Sequence, residues 1–327
     1  MPEWLVEDGI GETRAILVHG DRMLEARSLW HSGADDLTVG QIAPARLIER
    51  QRGTARGLIR FESGTEALID TLPREITTGA TLNALVTREA IAEQGRHKRP
   101  QARFTTQAPR PAPGLAERLR ETSHPVRTVR RFPDDPWHDL IDEARSGEIP
   151  FPGGAVLVMP TPAMTLIDID GHLPPGALAL AAVPAIADAI GHFELGGSIG
   201  IDFPTIERKE ERRAVDDALA AALDHWPHQH TAINGFGFVQ LVARLERPSL
   251  LHRLHHAPVA GAARELLRRG EHVAEPGVLV LTAHPQVHAA SLPEWDEELA
   301  RRTGRRIRRQ NDPALALHAG FAQALSA

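Results

Sequence analysis

Residues 163–171 read AMTLIDIDG and residues 194–204 read ELGGSIGIDFP. Each is a β-branched, apolar run that ends on an aspartate. Side chains alternate between the two faces of a strand, so Asp168 and Asp170 point the same way. Asp202 closes the second strand. Between the two strands, 176–193 (GALALAAVPAIADAIGHF) has the length and composition of one helix. A strand–helix–strand path of that length returns the chain to a neighbouring parallel position. The pattern therefore predicts an α/β layer whose three carboxylates, Asp168, Asp170 and Asp202, gather at the C-terminal edge of the sheet, where such sheets usually hold their sites.

The flanks extend this layer. GGAVLVMP (153–160) reads as a strand next to 163–171, and ERKEERRAVDDALAAALDHW (207–226) as a long amphipathic helix. INGFGFVQLVARL (233–245) reads as a further strand. The order β-β-α-β-α-β is that of a mixed α/β sheet with helices covering it. Upstream, PWHDLIDEARSG (136–147) is helical, with Trp137, Leu140, Ile141 and Ala144 on one face. TRAILVHGDRMLEAR, from residue 13, breaks at His19-Gly20-Asp21 as a hairpin does. From 38 to 106, five short β-like runs separated by turn residues suggest a small barrel of the OB type. QAPRPAPG (107–114) reads as a linker, followed by a short helix, LAERLRET, and a strand, PVRTVRRF. From about 258 the chain alternates helix, strand, helix and a basic strand, RRIRRQND. The expected organisation is a multidomain α+β and α/β chain. It comprises an N-terminal hairpin (1–36) packed on the main α/β domain, an OB domain (37–107), a linker (108–124), that main α/β domain (125–257) and a small α/β domain (258–327).

The chain has 327 residues, a formal net charge of −6, 17 histidines and no cysteine. Disulfides and thiolate metal sites are thereby excluded. No run approaches 18 apolar residues, and the acidic start MPEWLVEDGIGE is unlike a signal peptide. A cytoplasmic location with no membrane partner is expected. The basic residues are nearly all arginine and cluster at 46–60, 95–103, 127–131 and 301–309. Arginine suits bidentate phosphate contact, although high Arg and Ala usage also follows from a GC-rich genome.

Clustered carboxylates repel one another, and a cation relieves that best. Oxygen ligands without Cys or an obligatory His point to Mg²⁺, with Mn²⁺ as the alternative. Such an ion activates water for attack on a phosphoryl group. The competing structural account has Asp168 capping a strand end and Asp202 the turn before Pro204. No phosphate-binding Gly-Lys loop, dinucleotide fingerprint or serine elbow offers a rival chemistry.

The segments GGAVLVMPTPAMTLIDIDG, FELGGSIGIDFPTIERKEERRAV and GFGFVQLVARLERPSL together resemble the ribonuclease E/G family. The opening hairpin, the region 38–106 and the tail AHPQVHAASLPEWDEELARRTGRRIRRQND are similar to that family's other parts. The resemblance implies an S1-type OB barrel and a ribonuclease H-like or deoxyribonuclease I-like catalytic domain. It also implies a magnesium-dependent endoribonuclease that cleaves single-stranded RNA in processing or decay. Asp168 and Asp202 fall on the family's two metal-binding aspartates and Asp170 on a neighbouring asparagine. The implied catalytic and metal residues are thus Asp168, Asp202 and Asp170. The expected RNA contacts are Arg56, Arg60, Lys98, Arg99, Arg103, Arg127, Arg130, Arg212 and Arg244.

The chain also departs from the family pattern. The stretch 108–150 replaces a much longer sensor region, of which only Val126-Arg127-Thr128 is echoed. The cysteines of the family's zinc link are missing, so no shared zinc is expected. Leu58 and Leu68 stand at two positions where aromatic rings stack on RNA, and Gln240 stands where the family has Glu. Ala243 and Leu245 replace arginines. The His-rich stretches HWPHQH (225–230) and HRLHH (252–256) lack a local acidic residue to complete a zinc tetrahedron. Arg306 and Arg308 alternate onto one side of the tail strand as a candidate phosphate track. The apolar, Ala-rich helices at 177–193 and 214–226 suggest a homodimer formed without zinc. The second functional hypothesis is an RNA-binding or scaffold protein that kept the fold and lost turnover.

Overall fold

The computed structural model describes residues 1–31, 36–93 and 96–325. The chain opens on an antiparallel meander of β1 (Glu3–Gly9), β2 (Glu12–His19) and β3 (Arg22–Trp30). The expected hairpin is β2–β3, turning at Gly20. β1 is an additional strand that the acidic N-terminal residues concealed.

The barrel follows. β4 (Ile42–Arg50), β5 (Gly57–Phe61), β6 (Glu66–Asp70), β7 (Thr81–Arg88) and β10 (Gln101–Thr105) close in the order β10-β6-β5-β4-β7. A two-stranded hairpin, β8 (Ile91–Glu93) and β9 (Arg96–Lys98), is inserted before β10. Gly95, in the second basic cluster, lies outside the described residues. Small and branched residues fill the barrel: Leu47, Ile59, Ala67, Ile69, Ala84 and Ala102. Five strands enclose only a narrow interior, which such residues fit.

The segment expected as a linker is only partly one. Its α1 (Leu115–Arg120) buries Leu115 and Leu119 against Trp4, Val6, Ala15 and Leu17. β11 (Val126–Val129) then pairs parallel with β1. The N-terminal meander is thus a four-stranded sheet completed from further along the chain.

The main layer begins with α2 (Pro136–Ser146), β12 (Glu148–Phe151), β13 (Gly154–Pro160) and β14 (Thr165–Gly171). It continues through α3 (Pro175–His192), β15 (Gly197–Asp202), α4 (Lys209–Ala222), β16 (His228–His230), β17 (Phe238–Ala243) and α5 (Leu250–His256). The sheet order is β12-β13-β14-β15-β17-β16. Only β14 and β15 are parallel, and α3 is the crossover between them. Val156, Val158, Ile167, Ile169, Ile199, Ile201, Val239 and Leu241 form one buried face, sharing a core with Ala179, Ala182, Ile186, Val215 and Leu219 of α3 and α4. The other face is open: Met159 and Val242 are 43% and 47% exposed. The helices therefore cover one side of the sheet and not both.

By length and composition α3 alone among the described helices could cross a bilayer, and half of it is buried in this core. The apolar faces that suggested a dimer are thus largely occupied within the chain itself. Ala179, Ala182, Ala185 and Ala189 are all buried, and Ala218 and Ala222 pack on the same core.

The last unit holds α6 (Pro258–His272), β18 (Val278–Ala283), α7 (Pro285–Ala289), α8 (Pro293–Thr303), β19 (Ile307–Asn311) and β20 (Phe321–Leu325). Its three strands run β19-β18-β20. The helix expected between β18 and β19 is two, because Pro293 takes the first position of α8.

Buried ion pairs tie these units together. Arg268 on α6 donates to both oxygens of Glu7 on β1 at 2.7 and 3.1 Å, and to Asp135 at 2.6 Å. Arg14 reaches the same Glu7 at 3.1 Å. The barrel is held by Glu89, whose carboxylate meets Arg253 at 3.3 Å and whose N–H donates to the Glu246 carbonyl at 2.8 Å.

Candidate active site

β14 and β15 pair with Asp168 directly opposite Asp202. In-register residues of parallel strands project to the same side, and adjacent strands lie roughly 4.8 Å apart. The two carboxylates therefore stand side by side at the C-terminal ends of the only parallel pair in this sheet. The pleat explains why acid is tolerated here. Ile167, Ile169 and Ile201 point into the core, so the alternate positions point to the open face. Asp168 is half-buried and Asp202 exposed. Asp168 Oδ1 accepts the N–H of Ile169 at 3.0 Å. None of Asp168, Asp170 and Asp202 has an ion-pair partner among the described residues.

Of the expected three carboxylates, Asp170 lies outside the register pair. β15 ends at Asp202, and Asp170 lies beyond it, opposite Ala155 of β13. It shares the face of Asp168 but sits about 6.6 Å further along the strand. Among the described residues no group of three His, Cys, Asp or Glu side chains is placed to hold a metal ion. The juxtaposed set is the pair Asp168 and Asp202, with Asp170 at its border.

The turn beside this pair is built around Asn234, whose Oδ1 accepts from the N–H groups of Phe236 and Phe238 at 2.8 and 3.1 Å. Gly237 has φ +92°, and a Cβ there would lie 2.2 Å from the Phe203 carbonyl oxygen. Only glycine lets this turn lie against the residue that follows Asp202. The N–H of Phe203 in turn donates to the Gly237 carbonyl at 3.1 Å. Phe238 is the register partner of Asp202. Its ring crosses Gly200, where an added Cβ would meet it at 2.6 Å. Phe236, at the tip, is 85% exposed. This exposed ring, in the turn that packs on the residue after Asp202, was not among the expected site residues. The signal was the sequence Gly235-Phe236-Gly237, an aromatic between two glycines, which reads equally well as the start of a strand. Gln240, opposite Gly200, is on the same open face.

The amino ends of α3 and α4, which follow β14 and β15 in the chain, lie against each other: a Cβ on Gly176 would meet the Glu211 carboxylate at 2.7 Å. Helix amino ends carry partial positive charge and favour nearby anions.

The expected RNA contacts are dispersed. On the barrel, Arg56 pairs with Asp70 at 3.0 Å. Arg60 and Arg99 share Glu66 at 2.8 and 3.6 Å. The hydrogen bond from Arg60, with the charge of both arginines, holds the Glu66 carboxyl below its usual range. Leu58 and Leu68 are cross-strand partners on the outer wall, beside Arg56, Arg99 and Gln101, in a groove of about 550 Å³. Lys98, on β9, faces the opposite, amino-terminal ends of β14 and β15, in a pocket with Thr165 and Ser198. Arg103 and Arg130 are exposed. Arg127 is held by Glu3 at 2.9 Å and Arg244 by Glu246 at 3.1 Å. Arg212 instead donates to the carbonyls of Ile206 and Glu207 at 2.6 and 2.9 Å, and so orders the loop after Asp202. No protein-family model and no curated protein sequence matches the chain.

Proposed function

We propose that this chain is a metal-dependent endoribonuclease of the ribonuclease E/G type, acting on single-stranded RNA. The observation that carries the proposal is the in-register pair Asp168–Asp202, two carboxylates at one sheet edge with no protein counter-charge among the described residues. Mg²⁺ is commonly bound by one or two carboxylates, with water and substrate phosphate completing its shell, so the donor set fits. The resemblance in sequence supports the same assignment, with the barrel as an S1-type OB module and the six-stranded layer as a ribonuclease H-like or deoxyribonuclease I-like domain.

In this scheme Asp168 and Asp202 hold the ion, and Asp170 orients water or a ligand at its border. A bound Mg²⁺ supplies Lewis acidity toward the phosphoryl oxygen and lowers the pKa of a bound water. Phe236 offers a ring to a base next to the scissile position. The barrel groove grips the strand through Arg56, Arg99 and the Leu58–Leu68 wall. Surface ion pairs such as Arg56–Asp70 are worth under about 1 kcal/mol, so exchanging them for phosphate is cheap.

The test is cleavage of a fluorescent unstructured RNA by wild type, Asp168→Asn and Asp202→Asn in Mg²⁺, Mn²⁺ or chelator. The expected result is metal-dependent cleavage by wild type that both variants lose. Intact RNA at high enzyme concentration with either metal overturns the proposal. The second reading, RNA binding without turnover, is favoured by the aliphatic Leu58 and Leu68 and by the lack of a third gathered ligand. Tight RNA binding without cleavage would establish it instead.

A further inference from the structure

The three-stranded sheet of the C-terminal unit has a second face that no part of the proposal above uses. Leu279, Leu281, Ala283, Ile307 and Ala322 turn inward to α6, α7 and α8. The alternate positions turn outward. Along β19 these are Arg308 and Gln310, with Arg306 just before the strand, and on β20 they are Phe321, Gln323 and Leu325, all of them exposed. Register places Arg308 and Gln323 on either side of Val280, and Gln310 and Phe321 on either side of Thr282. Val280 and Thr282 are themselves buried between these flanks.

The chemistry of the face is one-sided. The neighbouring arginines point elsewhere: Arg309 pairs with Asp296 at 2.7 Å, and Arg305 donates to the Ala274 carbonyl at 3.2 Å. Arg306 and Arg308 have no acidic partner among the described residues, and none of the six outward residues is a carboxylate. Phe321 is 42% exposed, two strand spacings or roughly 10 Å from the arginine row. A sheet face with an exposed aromatic on one strand and cations along another suits an unpaired nucleic acid strand. The ring takes a base face while the guanidinium row follows the phosphates. A duplex, whose bases are stacked inside, cannot use Phe321 in this way.

We infer that this face is a second binding site for single-stranded RNA, in which Phe321 stacks on a base and Arg306 and Arg308 contact successive phosphates. The inference rests on the RNA reading of the chain but not on the metal pair. The site would hold a segment of the strand away from the cleavage edge.

The test measures anisotropy of a fluorescein-labelled oligouridylate with the full chain in an Asp202→Asn background, across a salt series. Phe321→Ala is expected to weaken binding about five- to 100-fold, and Phe321→Trp to restore it. Arg306→Gln with Arg308→Gln is expected to lower the slope of log affinity against log salt by about 1.4, or 0.7 per phosphate. These residues are exposed, so the melting temperature should not move. Unchanged affinity and salt slope in both sets of variants overturns the inference, as it would if the face seats an acidic protein segment. Equal binding of duplex DNA through the same residues also overturns it. Should wild type cleave RNA while these variants bind normally, only this inference fails. Should the parent bind no RNA, the proposed function fails with it.

Discussion

Asp202→Asn should raise the stability of the metal-free protein while removing the proposed cleavage. In-register residues of adjacent strands stand about 5 Å apart, and neither carboxylate has an ion-pair partner among the described residues. At an open sheet edge the effective dielectric approaches that of water, which makes their repulsion about 0.8 kcal/mol. At physiological ionic strength, where the screening length is about 8 Å, roughly half survives, or about 0.4 kcal/mol. Removing it should lift the melting temperature by about 1–2 °C, at roughly 2–4 °C per kcal/mol for a chain of this class. Mg²⁺ should do the reverse for the two proteins. At ten times its Kd it stabilises wild type by about 1.4 kcal/mol, or about 3–6 °C, and leaves the variant nearly unmoved. Thermal melts of both proteins in chelator and in a Mg²⁺ series read all four values. A variant that melts lower than wild type in chelator, or one that gains as much from Mg²⁺, refutes the argument that this pair is an unpaired cation site.

Three further outcomes follow from the same structure. Glu7→Gln leaves Arg14 and Arg268 buried with one partner fewer, and should cost about 3–5 kcal/mol in urea or thermal unfolding. Burial pushes the Glu7 carboxyl up, but Arg268 and Arg14 outweigh it and hold it below its usual 4.5. Its contribution is therefore present above pH 4.5 and lost as the pH falls through the folded-state value, so an acid melt of wild type should show a steeper loss below pH 4.5 than that of Glu7→Gln. Phe236→Ala should weaken RNA binding by about 1–3 kcal/mol without lowering the melting temperature, because the ring is 85% exposed. A drop in stability equal to the drop in affinity would show that the ring packs rather than stacks. Leu68→Phe, on a position 43% exposed, should tighten RNA binding several-fold by adding a ring to the barrel wall, and unchanged affinity would remove the groove from the RNA path.

The parts of the fold that were legible are those where periodicity and turn chemistry agree. The β2–β3 hairpin follows from alternation broken at Gly20, and β14-α3-β15 follows from two apolar runs separated by a helix-length segment. Short edge elements were not legible. β12, β16 and β20 have three to five residues each and take their strand character from a neighbour's hydrogen bonds rather than their own composition. β1 hid because its acids, Glu7 above all, are neutralised from α6, some 260 residues away in sequence. No local pattern contains that information.

The same distinction separates the two halves of the candidate site. The juxtaposition of Asp168 and Asp202 was legible because two apolar runs flank one crossover helix, and the register of a short parallel pair then leaves little freedom. Asp170 was expected to join them on the argument that alternate residues share a face. That argument is correct and incomplete: a shared face brings carboxylates together only where a partner strand continues alongside, and β15 stops at Asp202. Phe236 entered through the complementary route. Its position depends on Gly237 folding the turn onto Phe203, a tertiary approach with no period to read. Strand ends thus set where the charge lies, and the glycine turn sets what lies beside it. A substrate strand crossing this edge would meet both at once, two unpaired acids and one exposed ring.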